Sequence, residues 1–150
     1  MNNYVFFTDI DLYDFSPQGR KILWKDQFAQ SVHTRQRLEL AKFIGGTSVV
    51  SAASTILSEV VGNGWLAVGD AACTIDPLSS QGISKAISSG LEAACTILDP
   101  QPDESAARYS YRVKSQYQDY LHTRHNFYSV ERRWLKSQFW MRRANLPDFQ

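Results

Sequence analysis

Apolar residues recur along residues 83–98 at the three-and-four spacing that places them on one face of an α-helix. Asp99-Pro100 follows this stretch, and because the residue before a proline avoids helical geometry, the helix is predicted to end there. It is the clearest element in the chain. The apolar positions on its face are Ile83, Ala86, Ile87, Gly90, Leu91, Ala94, Cys95 and Leu98.

Short apolar runs elsewhere predict strands. The β-branched and aromatic run at residues 4–10 is typical of a strand, and two more short strands are expected at 47–51 and 56–61. Gly62-Asn63-Gly64 is a tight-turn signal. Residues 65–68 are therefore predicted to return as the second arm of a hairpin and to form a buried strand.

Two further helices are predicted. Ser16-Pro17 is typical of a helix N-terminus, and that helix is expected to run to about Leu40, before Gly45-Gly46 interrupts it. A long final helix is expected to start near Asp103-Glu104, and residues 141–150 are expected to form a tail. The apolar and aromatic face of the final helix would comprise Tyr109, Val113, Tyr117, Tyr120, Leu121, Phe127, Tyr128, Trp134 and Leu135.

Composition narrows the class of protein. With 150 residues, 43% hydrophobic and 21% charged, the chain fits a folded domain with one ordinary core or part of a larger one. No apolar run approaches the roughly 20 residues that span a bilayer, and the N-terminus lacks the basic region of a secretory signal. We therefore expect a cytoplasmic protein without a membrane partner, in which Cys73 and Cys95 are buried thiols.

The net charge of +1 conceals an asymmetry. Residues 1–107 contain 7 Lys/Arg and 12 Asp/Glu, whereas residues 108–150 contain 9 and 3. A basic segment can indicate a nucleic acid or another anionic partner. Because no nucleic-acid-reading signature accompanies the charge, we interpret it as the solvent face of a helix and expect no nucleic-acid partner.

The stretch WLAVGDAACTIDPLSSQGI places an acid directly after a predicted strand and a glycine at the start of a predicted helix. Gly69 allows a tight turn, so Asp70 is expected at the carboxyl edge of a sheet, where its carboxylate can accept hydrogen bonds from a diol. The first turn of the helix after Gly82 has free N–H groups and a partial positive charge. Together they predict a clamp for a large anionic cofactor.

GDAACTIDPLSSQGI resembles the third flavin-binding motif of the class A flavoprotein monooxygenases, GDAAxxxxPxxxxG. The DPLSSQG version is most similar to the branch that contains flavin-dependent halogenases and the flavoproteins that modify tryptophan residues when peptidyl quinone cofactors are built. The segment YSVERRWLKSQFWMRR looks like the C-terminal tail of such relatives. FFTD and SAASTIL occur in the same order as the matching segments at the end of the relatives' substrate-binding domain.

This resemblance implies FAD as the cofactor. Asp70 would contact its ribityl-phosphate part, with Gly69 beside it among the cofactor-binding residues, and Pro77 would lie over the flavin edge. The backbone of Gln81, Gly82 and Ile83 would face the pyrimidine side of the isoalloxazine ring. N–H donors at that position would favour the anionic reduced flavin and so support oxygen activation.

The chain departs from the family pattern in two ways. It lacks the GxGxxG unit that holds the ADP half of FAD, so on its own it is expected to bind FAD weakly or not at all. We therefore expect the C-terminal portion of a Rossmann-type α/β fold. Residues 1–56 would be the end of a substrate-binding domain, 57–99 the C-terminal part of the FAD-binding domain, and 103–150 a helical region.

The second departure concerns the reaction. Tryptophan halogenases carry a glutamate between the proline and the glycine of the motif, and the matching residue here is Ser79. The resemblance therefore favours hydroxylation or another oxidation of an aromatic substrate, such as a small molecule or a protein-bound tryptophan, over halogenation of free tryptophan. NAD(P)H or a flavin reductase would supply the electrons.

Two alternatives stay open. The chain could be a non-catalytic interaction module from a truncated flavoprotein gene, in which the basic helix docks on an acidic partner. It could also be a geranylgeranyl-reductase-like flavoprotein, which shares the GD motif.

Several residues have simpler interpretations. Ser79 and Ser80 are interpreted as helix-entry caps, and Cys73 as a buried packing residue. His122 and His125 have helical i, i+3 spacing but no third ligand nearby, so we expect solvated helix residues and no metal.

Overall fold

Helices dominate the computed structural model, which describes residues 4–144 and has a mixed α/β composition with two small sheets. It divides between Val50 and Ser51 into two units. The helices are α1 (Pro17–Gln30), α2 (Val32–Arg37), α3 (Gly82–Leu98), α4 (Pro102–Val130) and α5 (Gln138–Ala144). The strands are β1 (Thr55–Ile56), β2 (Val61–Gly62), β3 (Trp65–Leu66) and β4 (Cys73–Thr74).

The first unit contains α1 and α2. The predicted start of α1 is confirmed, because the Ser16 hydroxyl oxygen accepts a hydrogen bond from the Gly19 amide at 3.1 Å. The prediction of one helix to about Leu40 is wrong. At Ser31 the backbone leaves helical geometry, and its hydroxyl donates to the Phe28 carbonyl at 2.7 Å. This local bond competes with continuation of the helix.

The strands predicted at residues 4–10 and 47–51 are wrong, since neither stretch is a strand. A strand needs a second strand to hydrogen-bond with, and residues 4–50 contain no strand. Tyr4 of the first stretch packs instead on α1, and Phe6 contacts Tyr13. The Tyr4 ring lies edge-on to Trp24 and Phe28, with centroids 5.7 and 5.5 Å away.

The second unit contains the strands. The hairpin prediction is confirmed: β2 and β3 pair antiparallel, with Gly62 opposite Trp65, and Gly64 in the turn has φ +76°. The expected buried strand over residues 65–68 is only partly present, because β3 spans Trp65–Leu66 and Trp65 is 50% exposed. β1 pairs antiparallel with β4, which brings Thr55 opposite Thr74.

The core of the second unit lies between α3, α4 and the strands. Its buried members are Val60, Ala72, Ala93, Tyr109 and Val113. Tyr109 is 2% exposed, and its hydroxyl donates to the Ala67 carbonyl at 2.7 Å. This bond ties α4 to the residues that follow β3.

The predicted bounds of α3 are confirmed, but its apolar face is not covered by the described residues. Ile83, Ile87 and Leu91 are 79%, 60% and 66% exposed. The buried residue of the helix is Ala93. The side that faces the unit includes Glu92, which pairs with Arg112 on α4 at 3.4 Å. Periodicity identified one face of the helix but not which face is buried in this chain.

The prediction for α4 is confirmed at its start and wrong at its end. Tyr109, Val113 and Tyr117 are buried, as the aromatic face predicts. The helix ends at Val130, however, and Phe127 is 78% exposed. α5 occupies part of the segment expected to be a tail, and the remainder of that expectation, residues 145–150, lies outside the described residues.

None of the helices within residues 4–144 combines the length and the apolar character that crossing a bilayer requires. The assignment of residues 1–56, 57–99 and 103–150 to parts of two domains stays a prediction.

Replacing Tyr109 by Phe should destabilise the protein by roughly 1–2 kcal/mol, because the Ala67 carbonyl loses its buried donor while the ring still fills the core. Urea denaturation followed by circular dichroism measures this. Tyr111→Phe is the matched control, since Tyr111 is 76% exposed on the same helix. Equal stability of the two variants would contradict the prediction.

Candidate functional site

The site begins at the turn after β3, where residues 69–71 form one 3-10 turn. Gly69 has φ +56°, a conformation that other residues rarely adopt. A Cβ at this position would lie 3.3 Å from the Ala86 Cβ on α3. The Gly69 amide also donates to the Ser89 hydroxyl oxygen at 2.9 Å. The turn is therefore packed directly on the first half of α3.

Asp70 follows and reaches the first turn of α3. Its Oδ1 accepts a hydrogen bond from Lys85 Nζ at 2.9 Å, and its side chain is 75% exposed. Within residues 4–144 no other group donates to this carboxylate. The other oxygen, Oδ2, is therefore available to accept hydroxyl hydrogen bonds from solvent or from a ligand.

Helix α3 begins at Gly82, with Gln81 as its N-cap residue and no side-chain cap in the described chain. Gly82 lies outside the left-handed region, and a Cβ added to it would meet nothing within 4 Å. Neither backbone strain nor internal packing therefore requires a glycine here. The amides of this first turn have no side-chain cap and carry the positive end of the helix dipole.

Pro77 opens a second 3-10 turn, residues 77–79, whose N-cap is Asp76. The Asp76 amide donates to the Tyr120 hydroxyl oxygen at 2.7 Å, and the Tyr128 hydroxyl donates to Asp76 Oδ2 at 2.5 Å. Arg124 Nε lies 3.7 Å from the same Oδ2. This network attaches the turn to α4. Asp76 and its partners were not predicted as site residues; the Asp-Pro dipeptide is the signal that marks the turn.

The environment of Tyr128 favours its neutral form. Burial, followed by the hydrogen bond to Asp76 and the charge of that carboxylate, raises the pKa of Tyr128 to about 12. The Arg124 and Arg143 guanidinium groups lie 5.5 and 5.7 Å from the ring centroid and act in the opposite direction. The phenol therefore stays a donor to Asp76 at neutral pH.

The structure brings some of the predicted cofactor-binding residues together. Gly69 and Asp70 lie against α3, whose start is formed by Gln81, Gly82 and Ile83. Pro77 is held separately, through Asp76, on α4.

The prediction that Ser79 and Ser80 cap the next helix is wrong. The Ser79 hydroxyl oxygen accepts from the Gln81 amide at 3.4 Å, one residue before α3, and Ser80 has a left-handed φ of 55° that ends the 3-10 turn. The Ser79 side chain and the Ser80 backbone therefore belong to the turn rather than to the helix.

Cys73 is buried and free, as predicted, whereas Cys95 is free but exposed. Burial raises the pKa of the Cys73 thiol, and the nearby Lys85 ammonium opposes this shift. His122 is exposed, but His125 is half-buried rather than solvated. Over residues 4–144 no three His, Cys, Asp or Glu side chains come together as metal ligands.

No protein-family model matches the chain. LodB of Marinomonas mediterranea, named as an FAD-dependent oxidoreductase, is 27% identical over 151 residues, which cover 96% of this chain and 39% of LodB. A brominase of Pseudoalteromonas luteoviolacea that acts on a pyrrole-2-carbonyl group on a peptidyl carrier protein is 37% identical over 67 residues, 45% of this chain and 16% of the brominase.

Part of one solved structure shares the fold of this chain. The peptidyl tryptophan dihydroxylase QhpG, described as essential for tryptophylquinone cofactor biogenesis, superposes with a TM-score of 0.73 at 25% identity. The match covers 86% of this chain and 32% of QhpG. The chain is a relative of flavin-dependent oxidoreductases, halogenase-like enzymes included. It spans about two fifths of LodB and about a third of QhpG.

The two glycines of the flavoprotein-like motif should respond differently to alanine. Gly69→Ala should destabilise the protein by about 1–3 kcal/mol, because it forces a side chain into a left-handed conformation against Ala86. Gly82→Ala should leave stability unchanged or slightly raised, because its Cβ enters open space on a helix. Urea denaturation of both variants measures the difference, and equal losses would refute this account of the two positions.

The raised pKa of Tyr128 predicts a pH dependence of stability. In the unfolded chain the phenol titrates near its ordinary value of 10.0, and in the folded chain at about 12. The stabilisation is therefore complete below about pH 10 and is lost as the pH rises towards 12. Tyr128→Phe should flatten this fall in the free energy of unfolding, whereas the exposed-site control Tyr111→Phe should not. Parallel curves for the wild type and Tyr128→Phe would contradict it.

Proposed function

We propose that this chain forms the flavin-contacting, C-terminal portion of the Rossmann-type domain of an FAD-dependent oxidoreductase. The observation that carries the proposal is the open, uncapped start of α3 at Gly82, with the Asp70 carboxylate held at the same turn of the helix. A Cβ on Gly82 would meet nothing within 4 Å beyond its chain neighbours, so a flat ring can approach the backbone on that side. The donor set fits FAD, since a carboxylate and helix amides suit a polyol and an electron-rich ring edge.

Each residue would have a separate task. Asp70 would accept hydrogen bonds from the ribityl hydroxyls through its exposed carboxylate, and Gly69 would hold the turn close to the helix. The amides of Gly82 and Ile83 would donate to the pyrimidine edge of the ring. Pro77 would cover the flavin edge and exclude water, on a turn fixed by Asp76. When bound, reduced FAD supplies the electrons for oxygen chemistry.

For the substrate, we propose an electron-rich aromatic ring, with a tryptophan side chain in a peptide or protein as the leading candidate. QhpG is named as a peptidyl tryptophan dihydroxylase, and the brominase is named for a pyrrole-2-carbonyl substrate. Indole contains a pyrrole ring, so one class of oxidation suits both. The proposed reaction is a hydroxylation by a monooxygenase or related enzyme, with NAD(P)H or a separate flavin reductase as the electron source.

Titration with FAD tests the cofactor proposal. In two-dimensional amide NMR spectra, FAD and FMN should shift the signals of Asp70, Gly82 and Ile83, because the ribityl chain and ring are expected there. ADP should shift them little, since the described residues offer no clamp for the adenine half. NMR detects millimolar affinity, which is the range expected for a chain that holds only the flavin end.

Variants show whether the shifts come from the proposed contacts. Asp70→Ala and Gly82→Ala should each raise the apparent dissociation constant for flavin about tenfold, equivalent to roughly 1.4 kcal/mol of binding free energy. Asp119→Ala, an exposed acid on α4, is the control for loss of a carboxylate. Shifts produced equally by ADP, or shifts insensitive to both site variants, would refute the proposal.

One observation favours the alternative function as an interaction module. Phe127, Val130 and Trp134 are 78%, 78% and 57% exposed. An open groove beside Phe127 is also lined by Arg132 and by Glu131, which forms an ion pair with Arg133. The exposed apolar groups and Arg132 would suit a partner with an acidic and apolar surface. Binding of such a partner that falls steeply with salt and is unaffected by Asp70→Ala would support this function over the flavin proposal.

A further inference from the structure

Lys85 lies in the first turn of α3 and joins the two parts of the candidate flavin site, which are the turn that contains Asp70 and the start of α3. Its side chain is 17% exposed, whereas that of its partner Asp70 is 75% exposed. A largely buried ammonium is costly unless its donors are satisfied. Lys85 Nζ donates to Asp70 Oδ1 at 2.9 Å and to the Cys73 carbonyl oxygen, and lies 3.9 Å from Cys73 Sγ.

A lysine at this position is not explained by the stability of α3 itself. The start of a helix carries a partial positive charge, so a cation in the first turn is electrostatically unfavourable there. Its hydrogen bonds run instead to Asp70, which lies within the 3-10 turn of residues 69–71, and to the carbonyl oxygen and sulfur of Cys73, which follows that turn.

From this geometry we propose that Lys85 is a positioning residue: it fixes the Asp70 carboxylate and the turn that carries it against α3, leaving Oδ2 exposed for a ligand hydroxyl. The inference deepens the proposed flavin function and rests on it for the identity of the ligand. Lys85 acts through Asp70 and Cys73, and makes no contact with the cofactor in this proposal.

Two properties follow. The carboxylate keeps one orientation, because Oδ1 is already bound and only Oδ2 can accept from a polyol. The Asp70 charge is also balanced locally, so the uncapped amides of α3 keep their attraction for an electron-rich group. Removal of the ammonium would release the turn and leave an unpaired carboxylate beside those amides.

Hydrogen–deuterium exchange in the absence of flavin tests the positioning role directly. Lys85→Met removes the charge but keeps an apolar stem, and should speed amide exchange over residues 69–74 about tenfold by loosening the turn. Lys85→Arg keeps a donor and should restore most of the protection. Lys114→Met, at an exposed lysine on α4, should leave these amides unchanged.

A double variant tests whether Lys85 acts through Asp70. Asp70→Asn alone should speed exchange over residues 70–72, and adding Lys85→Met should increase it there by less than the sum of the two single effects, because both variants remove the same contact. The bond from Lys85 to the Cys73 carbonyl is lost only with Lys85→Met. With FAD, Lys85→Met should raise the apparent dissociation constant about tenfold in the wild-type background and much less in the Asp70→Asn background. Circular dichroism verifies that each variant remains folded.

The outcomes separate this inference from the proposed function. Exchange in Lys85→Met that matches Lys114→Met, or effects of Lys85→Met and Asp70→Asn that simply add, would overturn the positioning role whether or not FAD binds. Exchange that changes as expected while FAD shifts the amide signals of Asp70, Gly82 and Ile83 no more than ADP does would support the Lys85–Asp70 contact and count against the flavin as its ligand.

Discussion

The close packing of the Gly69 turn on α3 is the contact on which the rest of the site depends. The turn can approach the helix because Gly69 has no side chain and adopts a positive φ, which leaves Ala86 as its neighbour and Ser89 as a hydrogen-bond acceptor. This approach puts Asp70 within reach of Lys85. Asp70 and the start of α3 thereby belong to one local structure, although Gly82 lies 12 positions after Asp70 in the sequence.

Helix α4 supports this structure at two further points. Tyr109 fixes the residues after β3 through the Ala67 carbonyl, and Tyr128 fixes the Asp76 turn through its carboxylate. The segment between Gly69 and Gly82 is thus attached at its start, its middle and its end. A segment held in this way needs little ordering when a ligand binds, so less binding energy is lost to conformational entropy.

The sequence predicted the elements whose signals are local. The hairpin depends on Asn63-Gly64, and the bounds of α3 depend on its periodicity and on Asp99-Pro100, so both could be recognised without tertiary information. The strand at residues 4–10 has strand-like composition, but composition cannot supply a pairing partner. The exposure of Ile83 could not be predicted either, because periodicity identifies the apolar face of a helix but not whether another element covers that face.

The site could be predicted in part for the same reason. Gly69, Asp70 and Gly82 belong to one contiguous motif, whereas Lys85 and the network around Asp76 depend on distance in three dimensions. Tyr120 and Tyr128 are 44 and 52 residues from Asp76 in the chain.

The two motif glycines differ in whether the chain's own structure explains them. Backbone geometry and packing on Ala86 require Gly69, but nothing in the described chain requires Gly82, whose surroundings are open. The exposed Ile83 and the uncapped amides lie at the same place. At the start of α3 the chain's own packing thus leaves Gly82, Ile83 and the uncapped amides unexplained, just as it leaves Ile87 and Leu91 exposed further along the same helix. The proposed flavin site accounts for the first group, because a helix N-terminus suits an electron-rich ligand.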